Sequence, residues 1–385
     1  MQRGDFTFET SKLVLKNGVR ITVHVELLAG EVQVRQGEAL IGQKKLPGSP
    51  VAATEPEPWH GWLADAPPPA IAPFNSQQAR QYQEAWAKHL GVPVEYENSL
   101  RMKFVLIPPG EFTMGSPEQE VDEALKVIIP FWHNNVRSQV PQHKVILTKP
   151  FYLAVHEVTQ GHFEKLLSRN PSVFSAQGEG KAIVAGMNTS NHPAEMASWH
   201  DAAEFCLTLS ERENHEPAYV RHADKMKPIA GAGYQLPSEA LWEFACRAGT
   251  TTRFWSGDDD KDIAKVGWWM ANSESRTHPV GELSANPFGL YDIHGNVSEW
   301  VQDWGRTNYY EESRNKPAID PLGAAMEDDG SSGRLYRGGA WYGGESRPVM
   351  SYVWSRQAQV PIARSGAIGF RIALTVEAVK AATAK

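Results

Sequence analysis

Alternation of apolar and polar residues is clearest near the start of the chain. Leu13 and Leu15, then Asn17-Gly18, then Val19, Ile21, Val23 and Val25 place a type I′ turn signal between two alternating runs, which predicts a β-hairpin. Glu31-Val-Gln-Val-Arg35 and Gly37-Glu-Ala-Leu-Ile41 predict a second strand pair, so residues 1–45 read as a small β unit. The pattern then stops. From Leu46 to Pro73 the chain is rich in Pro and Ala, with Pro67-Pro68-Pro69, and reads as an extended linker on which Trp59-His60-Gly61-Trp62 is an expected docking point. A helix is expected over 75–90, so residues 46–99 read as linker plus helix.

A longer patterned region follows, assigned to 100–375, with 376–385 as a tail. Met102 to Pro108 and Glu111 to Gly115 predict strands joined by Pro-Pro-Gly, and Lys144 to Val155 predicts another. Thr159 is placed to cap a helix whose Phe163, Leu166 and Leu167 form an apolar face. Trp199 to Glu213 predicts a second helix, and Ser238 caps a third that Gly249 ends. Beyond Gly249 the pattern predicts short strands and long loops. The expected class is α+β, with no internal repeat.

Composition sharpens this. Thirteen Trp, 32 Gly and 26 Pro in 385 residues fit a turn-rich fold packed on aromatic anchors. A net charge of −7 argues against a nucleic-acid partner. No run approaches the roughly 20 apolar residues of a membrane span, and Met1-Gln-Arg-Gly-Asp-Phe6 does not resemble a signal peptide. The default expectation is a cytoplasmic protein, with display on a virion or cell surface as the other possibility. Cys206 and Cys246 lie on apolar helical faces and read as buried structural thiols.

The densest signal is at the C-terminal end. Arg334-Leu-Tyr-Arg-Gly-Gly-Ala-Trp341 and Ile368-Gly-Phe-Arg371 bracket a segment rich in aromatic and small residues. With Phe104-Val-Leu-Ile-Pro-Pro-Gly-Glu-Phe-Thr-Met-Gly115, Phe151-Tyr-Leu-Ala-Val-His-Glu-Val-Thr159, Leu236-Pro-Ser-Glu-Ala-Leu-Trp-Glu-Phe-Ala245 and Asn286-Pro-Phe-Gly-Leu-Tyr-Asp-Ile-His-Gly-Asn-Val-Ser-Glu-Trp300, they occur in the order seen in one family. Residues 100–374 resemble the formylglycine-generating enzyme, or sulfatase-modifying factor, family. The resemblance implies an irregular, loop-rich C-type lectin-like fold of the formylglycine-generating enzyme type, here with a small N-terminal β unit.

It does not carry the chemistry over. The family's enzymes hold copper on two cysteines just after the Arg-Gly-Gly phrase, and Tyr342 to Arg356 contains none. Thiolates are what hold Cu(I), so no copper is expected. The three-histidine motif of the family's iron-dependent sulfoxide synthases is also missing. Carried over residue by residue, the family's calcium site falls on the side chains of Asp292 and Glu299 and the carbonyls of Gly295 and Val297, a set of hard oxygen donors. The other reading is that the two carboxylates bond turn amides without metal. A zinc-protease helix, a P-loop and a Gly-x-Ser-x-Gly elbow are not found. Asp201 and Glu204 read as a solvated helix face, and His143, His278 and His294 as hydrogen-bonded loop residues.

What remains is a binding surface over 342–367. Tyr342, Tyr352 and Trp354 are aromatics of the kind that dominate hot spots, although strand alternation equally allows Tyr352 and Trp354 in the core. Gly343, Gly344, Ser346, Ser355, Ala363, Ser365, Gly366 and Ala367 supply small, adaptable positions. The bracketed segment looks like the variable region of proteins diversified by retroelements, where adenine-directed mutagenesis scatters Asn codons. Tyr342-Gly343-Gly344 and Ser365-Gly366-Ala367 are reachable from such codons, while Trp354, Gln357 and Gln359 are not. The expectation is a non-catalytic ligand-binding protein whose partner is a protein or other macromolecule. The alternative is an enzyme of the same family with a non-cysteine active site.

Overall fold

The computed structural model describes residues 59–326, 332–342 and 348–384, together with the backbone of short strands within 2–45. The chain divides into two units, 1–66 and 67–385. In the first, His24–Leu28, Glu31–Gln36 and Ala39–Lys45 form a three-stranded antiparallel sheet, with a register shift between Val34 and Arg35. The expected turn at Asn17-Gly18 lies outside the described residues.

In the second unit the expected helix over 75–90 is present, while the end of the expected linker, residues 67–73, is held against the fold. Ala70–Ile71 pairs in parallel with Gly110–Glu111, and the Pro68 carbonyl accepts the Trp86 indole N–H. Ser76–Leu90 is a helix with an Asn75–Gln78 capping box, and it buries Trp86 completely. Proline-rich composition marks lost backbone donors, not lost packing. The 376–385 tail is also corrected: Val376–Thr383 is a helix capped by Thr375, with Val376, Ala378 and Val379 buried.

Three four-stranded sheets organise this unit. The expected strand Lys144–Val155 is two, His143–Leu147 and Phe151–Ala154, which belong to different sheets. Pro150, which lacks an N–H, sits at the crossing. The expected caps Thr159 and Ser238 each accept the N–H three residues on, and Ser198, not singled out in the sequence, caps the second helix in the same way. The third helix stops one residue earlier than Gly249 suggests, with Ala248 at a left-handed φ of 44°. Two helices without a counterpart in the sequence reading, Glu118–Val127 and His133–Arg137, follow the second strand. The loop-rich α+β architecture is as expected.

The sheet that carries both bracket phrases runs Arg356–Gln359, Arg334–Arg337, Ser298–Trp304, Ile368–Gly369. The first two pairings are antiparallel and the last is parallel. Its register aligns Arg356, Arg337 and Glu299 in one row and Gln357, Tyr336 and Trp300 in the next. Because strand side chains alternate faces, the first row faces the interior and the second the opposite side.

Candidate functional site

Beneath this sheet lies a buried row of charges. The helix Glu239–Arg247 presents Glu239, Glu243 and Arg247 to the arginines of the inner row. Arg356 grips Glu239 with two bonds of 2.7 and 3.0 Å. Arg337 pairs with Glu243, whose other oxygen holds Arg247 at 2.7 Å. Arg337 also donates to the carbonyls of Trp354 and Ser355, each at 2.8 Å. Burial by itself would lower the Arg337 pKa, but Glu243 and Glu239 outweigh it and hold the group above the ordinary arginine value. The closing phrase is clamped in the same way: Arg371 forms a forked pair with Glu299 at 2.6 and 2.7 Å, and the Trp242 indole donates to the same carboxylate. Trp341 completes the frame by donating its indole N–H to the Gly366 carbonyl at 2.7 Å.

The opposite face of the sheet floors a cavity of about 670 Å³. Ser298, Tyr336, Gln357, Gln359 and Ile368 line its base. One wall is Val127, Ile128, Ile129 and Trp132; the other comes from Tyr342, Val349, Met350, Ala363, Ser365 and Ala367. Large apolar groups stay exposed on and beside the walls, with Tyr342 66% and Ile129 59% accessible. Contiguous exposed apolar surface of this kind marks binding sites.

Of the expected contact residues, Tyr342, Ala363, Ser365 and Ala367 line this groove, and Gly366 lies half-buried beside it. Gly343, Gly344 and Ser346 fall outside the described residues. Tyr352, Trp354 and Ser355 are corrected: they are 2%, 3% and 2% exposed and do not line the groove. Tyr352 packs edge-on against Phe254 and Trp354. These residues lie below the surface because the chain turns inward through Val349–Ser351 before the Arg356 strand. The wall at the end of the Glu118–Val127 helix was missed. Its available signal was the apolar run Val127-Ile-Ile-Pro-Phe-Trp132, too apolar for an ordinary surface loop.

Gly339 fixes the rim. Its φ is +74°, and a Cβ there would lie 2.1 Å from Ser351 Oγ and 2.8 Å from Ser351 Cα. Gly339→Ala is therefore expected to cost about 3 kcal/mol, combining left-handed strain with overpacking. Thermal melting would check this, and an unchanged Tm would contradict it.

Neither Cys206 nor Cys246 is in the groove; both are buried in helices. Asp201 and Glu204 belong to an ion-pair network with Arg169, Arg221 and Arg364. His143, His278 and His294 bond the carbonyls of Pro141, Ser273 and Ser351. The calcium set fits only on one side. Asp292 is buried at a φ of 56°. Its Oδ2 accepts the Gly281 N–H at 2.7 Å, and its Oδ1 has no partner. Gly295 packs so closely that a Cβ would lie 2.3 Å from the Trp268 carbonyl oxygen, and Val297 is fully buried. Glu299 does not fit a metal: both its oxygens are committed to Arg371, which would also repel a cation.

Residues 91–376 match the sulfatase-modifying factor enzyme 1-like domain. The chain belongs to this family. Within it, the formylglycine-generating enzyme of Streptomyces coelicolor is 27% identical over 298 residues, spanning 70% of this chain and 88% of that protein. Among solved structures, Treponema denticola variable protein 1 superposes with a TM-score of 0.60 at 26% identity, covering 74% of this chain and 99% of the other. PvdO from Pseudomonas aeruginosa shares the fold, with a TM-score of 0.52 at 24% identity and coverage of 73% and 97%. The sulfatase-modifying factor scaffold and its C-type lectin-like fold are thus those that the ordered phrases implied. Among the described residues no helix is long and apolar enough to cross a membrane.

Proposed function

We propose that this protein binds a macromolecular ligand in the groove between the Val127–Trp132 wall and the C-terminal segment, with the N-terminal β unit serving display or tethering. The observation that carries the reading is the pairing of a rigid, ion-clamped frame with an open, mainly apolar cavity directly above it. A fixed frame keeps the ordering entropy low when a ligand binds. The likeness to a variable protein supports it, and so does the lack of a thiol among the groove-lining residues. The occupant chemistry that suits this lining is a peptide or loop carrying an aliphatic or aromatic anchor.

Selection of a random-peptide phage library on the immobilised protein tests this. Enriched peptides should carry apolar anchors, and Tyr342→Ala should weaken them about tenfold, as for a truncated aromatic contact. No enrichment, or equal binding to a protein carrying both Tyr342→Ala and Ile129→Ser, would sink the proposal. Flanking DNA tests the diversified version: a near-copy of the codons for 341–371, differing only at adenines and beside a reverse transcriptase gene, is expected. Differences should fall at exposed or half-buried positions such as Tyr342, Ala363, Ser365 and Ala367 and spare the buried Tyr352 and Trp354. Conversion of a cysteine peptide to formylglycine by the protein with copper and oxygen would overturn the non-catalytic reading.

A further inference from the structure

The floor of the groove carries polar groups that the fold itself does not use. Ser298, Tyr336 and Gln357 line its base, and they are only 4%, 5% and 8% exposed. Their main chains are held by the sheet: the Ser298 N–H bonds the Ala367 carbonyl at 2.9 Å, and Tyr336 and Gln357 stand opposite each other in register. Among the described residues, none of the three side chains takes part in a hydrogen bond. Buried polar side chains are nearly always bonded, so three bare ones on a single floor point to a ligand that completes them. Water meets such groups in a free binding site, and a ligand that displaces it must replace its hydrogen bonds or lose affinity.

The surroundings restrict what the incoming group can be. A charged tip is disfavoured. The charged row of the same sheet faces the other side and is paired there, Arg356 with Glu239, Arg337 with Glu243 and Arg371 with Glu299. Arg364 on the rim is paired with Asp201 and bonds the Met196 carbonyl. A carboxylate or ammonium driven to the floor would thus be desolvated with no counter-charge beside it. A purely aliphatic group would fill the space between Val127, Ile128, Trp132 and Met350 but leave the floor bare. A short amide would meet the floor and bury little of the apolar walls. A ring with a neutral tip that both donates and accepts satisfies walls and floor together. The tyrosine side chain is that group, and its hydroxyl matches an amide such as that of Gln357, which offers a donor and an acceptor in one plane.

We propose that the groove selects a tyrosine side chain of its ligand, with the phenol hydroxyl received by Gln357 and with Tyr336 and Ser298 beside it. This rests on the groove as the binding site and goes further by naming the anchor residue. In a diversified segment the walls would change while the floor stayed. Ser298 and Tyr336 lie outside 342–367, and Gln357 is not reachable from Asn codons, so each version would keep the same anchor.

The random-peptide phage library, selected on the full chain, is the test. Tyrosine is expected at one fixed position of the enriched peptides. In a synthetic enriched peptide, exchange of that tyrosine for phenylalanine should weaken binding to the parent about tenfold, the effect of one neutral hydrogen-bonding group. On Gln357→Met the same exchange should cost less than about twofold, as a double-mutant cycle requires of two groups in contact. This variant should melt at or above the parent, since it removes a bare buried amide, which separates lost recognition from misfolding. Tyr336→Phe, which deletes only a hydroxyl, is the second variant and should also narrow the difference between the two peptides. Enrichment of apolar anchors without preference for tyrosine, or an equal loss on parent and Gln357→Met, would overturn the assignment and leave the groove as the binding site. No enrichment at all would sink both.

Discussion

Arg371→Met is expected to destabilise the protein by about 5 kcal/mol, the upper end of the range for breaking a buried ion pair. Most buried pairs leave one orphan when one member is removed. Here the loss would strand Glu299 and withdraw the Arg371 charge that acts on Glu157 and Asp292. It would also take the donors from three carbonyls. Against a total stability of roughly 5–15 kcal/mol, such a loss leaves much of the protein unfolded at room temperature. Arg371→Lys should recover about half, because it restores the charge and not the fork. Urea unfolding followed by tryptophan fluorescence measures both, and a cost below about 2 kcal/mol for the methionine variant would contradict a structural role for the Arg371–Glu299 pair.

Arg337→Met should cost less, about 3 kcal/mol, because its partner Glu243 keeps Arg247. Its more telling effect is local. The carbonyls of Trp354 and Ser355 lose their shared donor, so the chain between the groove wall and the Arg356 strand should loosen. Amide hydrogen exchange over 348–356 is expected to speed up well beyond the rise seen in the helix Ser76–Leu90, which lies in another part of the unit. Uniform acceleration across the chain would mean that Arg337 contributes only to global stability. A peptide selected on the parent protein should also bind this variant more weakly, since a loosened wall must be reordered on binding.

Much of this protein could be read in the chain because its strongest signals are local. Thr159 and Ser238 announce helix starts through bonds to amides three residues away. The bracket phrases hold their glycines where Gly339 needs a left-handed φ against Ser351. The groove was half legible. Its C-terminal side was found from aromatic and small-residue composition, while the Val127–Trp132 wall was not, because nothing local says that a run of apolar residues will lie across from a segment some 200 residues later. Tyr352 and Trp354 stayed open for a related reason: an amphipathic aromatic suits a hot spot and a core equally, and only the packing of Tyr352 on Phe254 and Trp354 places both in the core.

The sequence by itself determined the family, the α+β class, most helix starts and the lack of a cysteine pair after Arg337-Gly-Gly, since each depends on residue identity or short spacing. The tertiary structure alone decided which charges meet. Arg371 and Glu299 are 72 residues apart, and Arg337 and Glu243 are 94 apart. Long-range pairing follows from sheet register and helix docking, and these carry no local mark. For the same reason the structure, and not the motif, reveals that Glu299 is already spoken for and that Glu157 stands without a partner.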